Sequence, residues 1–116
     1  MRTILIADNE PAILSLYASV LEGEGFAVVT ASNGAEALEV IRSEAPSVAV
    51  LDMRMPLMTG MELMAELERG GHSLPVVAFS ASMEHLEAVR HRAAAVLVKP
   101  FSNAELVGAV REALSA

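Results

Sequence analysis

Five short apolar segments, each separated from the next by a stretch with helical periodicity, constrain the fold of this chain most strongly. They occupy residues 3–7, 27–31, 48–51, 75–79 and 94–98. Each segment is almost entirely apolar instead of alternating, which is typical of strands buried on both faces of a parallel sheet. The repeated strand–helix order therefore predicts an α/β domain in which helices cover both faces of one parallel sheet.

Start and stop signals mark the five helices between and after these segments. The first helix is predicted to begin at Pro11, and Gly23 and Gly25 end it. A helix capped by Ser82 is predicted to run to about Arg92, and the last helix spans roughly residues 104–114. Three pairs of residues have the spacing of helix N-caps: Asn33 with Glu36, Thr59 with Glu62, and Ser102 with Glu105.

Length, charge and cysteine content exclude several classes of function. The chain has 116 residues, no cysteine and a net charge of −7. Without cysteine it cannot form disulfides, thiolate metal sites or a cysteine nucleophile. The negative charge repels a phosphate backbone, so direct binding to nucleic acid is not expected. With no linker or repeat, the length predicts one domain over residues 1–116, with no output domain.

The sequence contains no segment suited to a membrane. No apolar run approaches the roughly 20 residues that span a bilayer, and the N-terminal residues lack the layout of a signal peptide. A soluble, cytoplasmic protein without a membrane partner is therefore expected.

Polar residues follow all five apolar segments, and those after the second, Ser32 and Asn33, are ordinary cap residues. Asp8 and Asn9 follow the first, Asp52 the third, Ser80 the fourth and Lys99 the fifth. Each residue alone is typical of an ordinary turn or helix cap. The carboxyl ends of parallel strands meet at one edge of a sheet, however, so the set is expected to converge there. Close carboxylates favour a hard divalent cation such as Mg²⁺. An ionised aspartate beside a metal and a lysine has the groups that phosphoryl transfer requires.

These residues lie in motifs by which the chain resembles the receiver domains of two-component response regulators. The motifs are ADNEP at residues 7–11, LDMRMPLMTG at residues 51–60, FSAS at residues 79–82 and VKPF at residues 98–101. The resemblance covers essentially the whole chain. It implies a flavodoxin-like, doubly wound sheet of five parallel strands in the order 2-1-3-4-5, within a single three-layer domain.

The resemblance also implies a phosphorelay function. Asp52 would be the phosphoacceptor, with a sensor histidine kinase or a histidine phosphotransfer protein as the donor. Ser80 would be the switch residue that turns toward the phosphoryl group, and Lys99 would form an ion pair with it. The phosphoprotein would signal by contact with an unknown downstream protein, and a second copy of the chain is a further candidate partner. Such a domain catalyses its own phosphorylation and dephosphorylation but is not otherwise an enzyme.

A Mg²⁺ site is implied in the same way, with one departure from the family. The implied ligands are Asp8, Asn9, Asp52 and the backbone carbonyl of Arg54. Receivers usually carry a second carboxylate where this chain has Asn9. An amide oxygen still binds a metal, but one negative charge is missing, so Mg²⁺ binding weaker than in a typical receiver is expected.

Two further expectations concern the switch and the acceptor loop. The segment between Ser80 and Lys99 is shorter than usual, so the fourth helix should be short or end unusually. Val96 occupies the switch position that is normally aromatic, so the usual aromatic rotation cannot operate. Pro56 and Gly60 match the loop after the acceptor, where Gly60 is expected to adopt a backbone conformation closed to other residues.

Three alternatives stay open at this point. A degenerate receiver that acts as a phosphorylation-independent interaction module would account for Asn9 and Val96. A flavodoxin-type FMN protein would need hydroxyl- and glycine-rich residues after the first strand. A phosphatase of the haloacid dehalogenase type would need an Asp-x-Asp motif there. The sequence at residues 8–10, Asp-Asn-Glu, satisfies neither enzyme class.

Methionines and histidines are interpreted as structural. A copper(I) site is conceivable for thioethers, but filling of irregular core gaps is the stronger interpretation for Met53, Met55, Met58, Met61 and Met64. Met61 and Met64 are expected to share the buried face of a helix. No histidine has an evident partner, and all three are predicted to lie on the surface: His72, His85 and His91.

Overall fold

Strands and helices alternate five times in the computed structural model, which describes residues 2–115. The strands are Thr3–Ala7 (β1), Ala27–Ala31 (β2), Val48–Asp52 (β3), Val76–Ser80 (β4) and Ala95–Val98 (β5). The helices are Pro11–Gly23 (α1), Gly34–Glu44 (α2), Gly60–Arg69 (α3), Met83–Val89 (α4) and Asn103–Ser115 (α5). The two ends of the predicted domain, residues 1 and 116, lie outside the described residues.

The sheet is parallel throughout, with the order β2-β1-β3-β4-β5. This confirms the predicted α/β architecture and strand order. β3 and β4 both end one residue later than predicted, so Asp52 and Ser80 are the last residues of their strands. Their places in the sheet are fixed by pairing, Asp52 opposite Phe79 and Ser80 opposite Val98.

Two apolar clusters hold the layers together, one on each face of the sheet. The helices α1 and α5 cover one face with residues that include Tyr17, Leu21, Leu106 and Val110. The other three helices, α2, α3 and α4, cover the opposite face. β1, β3 and β4 are buried on both faces, as their near-continuous apolar sequences predict.

The predicted caps form. Asn33 Oδ1 accepts a hydrogen bond from the Glu36 N–H at 2.8 Å. Thr59 and Glu62 form a complete capping box. Ser102 and Glu105 bond each other's backbone N–H groups in the same way. These local bonds set where α2, α3 and α5 begin, which in turn fixes the loops at the carboxyl edge of the sheet.

The helix α4 is short, as expected, but it ends at Val89 and not near Arg92. Turns follow, in which the Val89 carbonyl accepts the N–H groups of Arg92 and Ala93. The chain must then enter β5, where the Ala94 N–H already donates to the Val76 carbonyl. Too few residues therefore remain for another helical turn. Within residues 2–115, no helix has the length and apolar character to cross a membrane.

Candidate functional site

Two buried carboxylates and one lysine meet at the carboxyl edge of the sheet. Asp8 follows β1 and is fully buried, while Asp52 at the end of β3 is 6% exposed. The Nζ atom of Lys99 lies 3.6 Å from Asp8 Oδ2 and 3.8 Å from Asp52 Oδ2. The structure thus brings together the three charged residues that the sequence predicted to converge.

Backbone N–H groups hold one oxygen of each carboxylate. The Glu10 N–H donates to Asp8 Oδ1 and the Arg54 N–H donates to Asp52 Oδ1, both at 3.0 Å. Asp8 Oδ2 is buried and accepts no hydrogen bond. The Lys99 Nζ, at 3.6 Å, is beyond hydrogen-bonding distance of this oxygen. A buried carboxylate oxygen without a donor is costly, so this atom has unused capacity to bind a cation.

The pKa of Asp52 is raised above its ordinary value. Burial is the largest cause, because it disfavours the charged form, and the negative charge of Asp8 acts in the same direction. The Arg54 N–H and the Lys99 ammonium oppose both effects. One lysine therefore does not fully compensate two carboxylates, and an added cation would favour the ionised form of Asp52.

The donor groups fit Mg²⁺. A cleft of about 670 Å³ opens beside Asp52, and its lining includes Asn9, Arg54 and Lys99. No cluster of three or more His, Cys, Asp or Glu residues suited to a metal occurs in the described part of the chain. Oxygen ligands beyond the two aspartates must then come from an amide, a backbone carbonyl or water, all of which Mg²⁺ accepts. The predicted roles of Asn9 and of the Arg54 carbonyl stay predictions.

Ser80, the last residue of β4, is 1% exposed. Its Oγ accepts a hydrogen bond from the Ser82 N–H at 3.0 Å, and the Ser82 Oγ in turn accepts one from the His85 N–H at 3.4 Å. The Ser80 carbonyl accepts a hydrogen bond from the Lys99 N–H at 2.9 Å. Ser80 therefore connects the ends of β4 and β5 with the first turn of α4. Its predicted switch role stays a prediction.

An aromatic cluster behind Lys99 was not predicted from the sequence. The Lys99 Nζ lies 5.0 Å from the centre of the Phe79 ring. Phe79 contacts Tyr17 and Phe101, with ring centres 5.9 Å away in both cases. Burial raises the pKa of Tyr17, with smaller contributions from the charges of Asp8, Asp52 and Glu10. The sequence pattern indicates that these aromatic side chains belong to the apolar core. It does not indicate that their rings meet beneath the Lys99 ammonium.

Two residues at the cleft were missed. Glu10 is exposed and belongs to the lining, although only its neighbours were predicted as site residues. His85 also belongs to the lining and is half-buried, so its predicted place on the surface is wrong. The reason is that the Ser82 cap turns the start of α4 over the end of β4. The surface prediction is confirmed for His72 and His91, which are exposed.

Gly60 has a different reason for being glycine than the one predicted. Its φ is not in the left-handed region; that conformation belongs to Leu57, with φ of 66°. A Cβ on Gly60 would instead lie 2.5 Å from the Met53 Cε and 2.7 Å from the Asp52 carbonyl oxygen. Gly60 therefore permits the start of α3 to approach the end of β3.

The methionines mainly fill the core, as predicted. Met53, Met55 and Met64 are buried and Met58 is partly buried against the same cluster. Met61 is 37% exposed and lines the cleft, so its predicted place on a buried face shared with Met64 is wrong.

Val96 lies opposite Ala78 in the sheet and packs, half-buried, against the cluster under α2, α3 and α4. A shallow hollow of about 320 Å³ lies beside it, lined in part by Arg90 and Glu112. The three rings near Lys99 pack in the cluster on the opposite face of the sheet. No aromatic side chain near Val96 can therefore replace the ring that is missing from the switch position.

Known proteins similar to this chain include response regulators. A family model described as the response regulator receiver domain matches residues 4–111. Transcriptional regulatory protein GlrR of Escherichia coli (strain K12) is 35% identical over 114 residues, which cover 96% of this chain and 26% of GlrR. This chain thus spans about a quarter (26%) of the length of GlrR.

Two solved structures share the fold over nearly the whole chain. The Francisella response regulator 1452 receiver domain has a TM-score of 0.91 and 30% identity, covering 99% of this chain and 98% of that one. Response regulator protein TrrA from Thermotoga maritima, in complex with Mg²⁺-BeF, has a TM-score of 0.90 and 30% identity, covering 98% and 100%. These likenesses confirm the flavodoxin-like fold and the resemblance on which the site prediction was based.

Proposed function

Because this chain belongs to the response regulator receiver domain family, we propose that it is a phosphoacceptor in two-component signal transduction and that Asp52 takes up the phosphoryl group. The observation that carries the proposal is the approach of Lys99 Nζ to both buried aspartates, at 3.6 and 3.8 Å. A buried nucleophile, a second carboxylate and a cation at one sheet edge are the groups that phosphoryl transfer needs.

In the proposed reaction an oxygen of Asp52 attacks the phosphorus of a phosphohistidine on the donor protein. The new P–O bond forms as the P–N bond breaks, and the donor's imidazole leaves. Lys99 balances negative charge on the phosphoryl oxygens, and its position over the Phe79 ring keeps the ammonium at the cleft. The Ser80 hydroxyl hydrogen is free to donate, because its Oγ acts only as an acceptor toward Ser82.

Mg²⁺ is the proposed cofactor, held by Asp8, Asn9, Asp52 and the Arg54 carbonyl. When bound, it supplies positive charge for the oxygens of the transferring group. The unused Asp8 Oδ2 and the raised pKa of Asp52 both favour a cation at this place. The Arg54 N–H also orients the acceptor, since it donates a hydrogen bond to the Asp52 carboxylate before the donor arrives.

The proposed partners follow from this chemistry. The donor is a sensor histidine kinase or a histidine phosphotransfer protein, and the phosphorylated domain signals by contact with a downstream protein. The domain turns over no separate substrate class. Its surface carries an excess of acidic groups, with a net charge of −7, so direct contact with nucleic acid is not proposed.

Phosphorylation by a small donor tests the proposal. The protein is incubated with acetyl phosphate and Mg²⁺, and the aspartyl phosphate is detected by intact-mass measurement at low temperature. We expect an adduct in the wild type and none in Asp52→Asn, which keeps the size of the side chain and an acceptor for the Arg54 N–H. Absence of an adduct in the wild type would contradict the proposal. An adduct that persists in the variant would move the acceptor to another residue.

A constitutive interaction module is the second candidate function. It is favoured by Asn9 in place of a carboxylate, by the short α4 and by the absence of an aromatic ring at Val96. A wild-type protein that binds its partner equally well with and without acetyl phosphate would support this candidate. A change in partner binding that is lost in Asp52→Asn would support the phosphorylation-dependent function instead.

A further inference from the structure

We propose that His85 is a further phosphoryl-binding residue, which donates a hydrogen bond from Nε2 to the phosphoryl group on Asp52. This inference rests on the proposed function of Asp52. His85 lines the same cleft as Asp52 and Lys99. No other histidine of the described chain lines this cleft.

The position of His85 follows from the hydrogen bonds at the end of β4. The Ser82 N–H donates to Ser80 Oγ, and the His85 N–H donates to Ser82 Oγ. Leu86 and Val89 are fully buried and hold α4 against the sheet. The first turn of α4 is therefore fixed to the strand that ends in Ser80, and His85 is carried to the cleft by that turn.

The burial of one ring nitrogen decides what His85 offers to a ligand. Its Nδ1 is buried and has no hydrogen-bond partner. A proton there would create a buried donor without an acceptor, which proteins avoid more strongly than an unused lone pair. The neutral ring therefore carries its proton on Nε2. The nitrogen that remains available to a ligand in the cleft is then a donor, which suits an anionic oxygen and not a metal ion.

The sheet order places this donor on the side of Asp52 that lacks the proposed metal ligands. β3 lies between β1 and β4. Asp8 and Asn9 follow β1, whereas the α4 turn with His85 follows β4. A phosphoryl group on Asp52 would thus have the Mg²⁺ ligands on one side and His85 on the other. A donor on that side contacts negative charge that develops on the phosphoryl oxygens during transfer.

Binding of beryllofluoride with Mg²⁺, a mimic of the phosphoryl group, tests this role in the full chain. We expect the concentration for half-saturation to rise about tenfold in His85→Ala, the effect of losing a hydrogen bond to a charged group. His85→Gln should bind nearly as the wild type does, because its amide N–H reaches close to the position of Nε2. His85→Asn should behave like the alanine variant, since its shorter amide matches Nδ1. The exposed His72 and His91, changed to Gln, are the controls.

Nitrogen NMR of the imidazole rings provides a second measurement. A merely structural role of His85 would not change the chemical shift of its ring nitrogens when the ligand binds. We expect the Nε2–H tautomer at His85 in the free protein and a shift of that nitrogen alone when beryllofluoride binds. Equal binding by the wild type and His85→Ala, with no shift at His85, would overturn the inference while leaving Asp52 as the acceptor. Failure of the wild type to bind beryllofluoride would instead overturn the proposed function, and this inference with it.

Discussion

At the scale of single residues, Asp52 is held in a place that disfavours its charge. Because its pKa is raised in the folded state, its contribution to stability is present at low pH and is lost as pH rises through the folded pKa. A rise in pH through the folded pKa therefore ionises a carboxylate whose charge the fold disfavours. We expect Asp52→Asn to raise the urea midpoint at pH 7 in the absence of divalent cations. The gain should shrink toward zero as pH falls below about 4, near the ordinary pKa of aspartate.

Glu62 provides the matched control of opposite sign. Its pKa is lowered by hydrogen bonds from Thr59, so its contribution to stability is present above the ordinary pKa of glutamate and is lost as pH falls through the folded value. Glu62→Gln should therefore lower the urea midpoint at pH 7. If Asp52→Asn also lowers the urea midpoint at pH 7, the ionised Asp52 carboxylate is stabilised by its surroundings. The raised pKa of Asp52 would then be wrong in direction.

Asn9 is the residue on which we expect the strength of Mg²⁺ binding to depend. It lines the cleft but brings no charge, and Asp8 and Asp52 are the only buried carboxylates of the described chain. Ligand charge sets much of the affinity of such oxygen sites, so we expect Asn9→Asp to lower the Kd for Mg²⁺ about tenfold in calorimetric titration. Asn9→Ser, which adds no charge, is the control. Equal affinities for wild type and Asn9→Asp would show that Asn9 is not a ligand.

The sequence predicted those site residues whose positions follow from strand ends, namely Asp8, Asp52, Ser80 and Lys99. Parallel strands bring such positions together whatever their side chains do. The sequence did not predict that His85 lies at the cleft or that Phe79 lies beneath Lys99. Those contacts depend on how a helix turn and a ring are oriented by packing between elements, which periodicity along one element does not specify.

At the scale of elements, the close approach of α3 to β3 fixes the end of the strand that carries Asp52. A methyl group on Gly60 would lie 2.7 Å from the Asp52 carbonyl oxygen, which is backbone and cannot turn aside. We expect Gly60→Ala to lower the free energy of unfolding by about 1–3 kcal/mol in urea titrations, as overpacking does, and to slow phosphorylation by acetyl phosphate.

Gly108 in α5 is the control for this prediction, because a Cβ there meets nothing within 4 Å. Gly108→Ala should raise stability by about 0.5–1 kcal/mol through helix propensity and leave phosphorylation unchanged. Equal effects of the two substitutions would show that the contact between Gly60 and the acceptor strand is unimportant.

Element boundaries were predictable wherever a local signal exists. The capping pairs at Asn33, Thr59 and Ser102 predicted three helix starts that the structure confirms. The end of α4 was not predictable in this way, because residues 90–92 have no stop signal of their own. That helix ends at Val89 since the chain must pair with β4 from Ala94 onward, and Arg92 bonds Glu68 of α3 at 3.0 Å. Tertiary contacts therefore determine where α4 ends, because the local sequence does not specify it.

At the scale of the whole molecule, folding itself assembles the proposed metal site. Asp8 and Asp52 are far apart in the chain and meet only when β1 and β3 pair. Mg²⁺ should therefore bind the folded state and raise stability by RT ln(1 + [Mg²⁺]/Kd), about 2.7 kcal/mol at 100 times Kd. A chain of net charge −7 also gains from simple screening, so the two effects must be separated. We expect the thermal midpoint of the wild type to rise with Mg²⁺ at constant ionic strength, and that of Asp8→Asn to stay nearly constant. Equal rises in both proteins would mean that screening, and not a site at Asp8, accounts for the stabilisation.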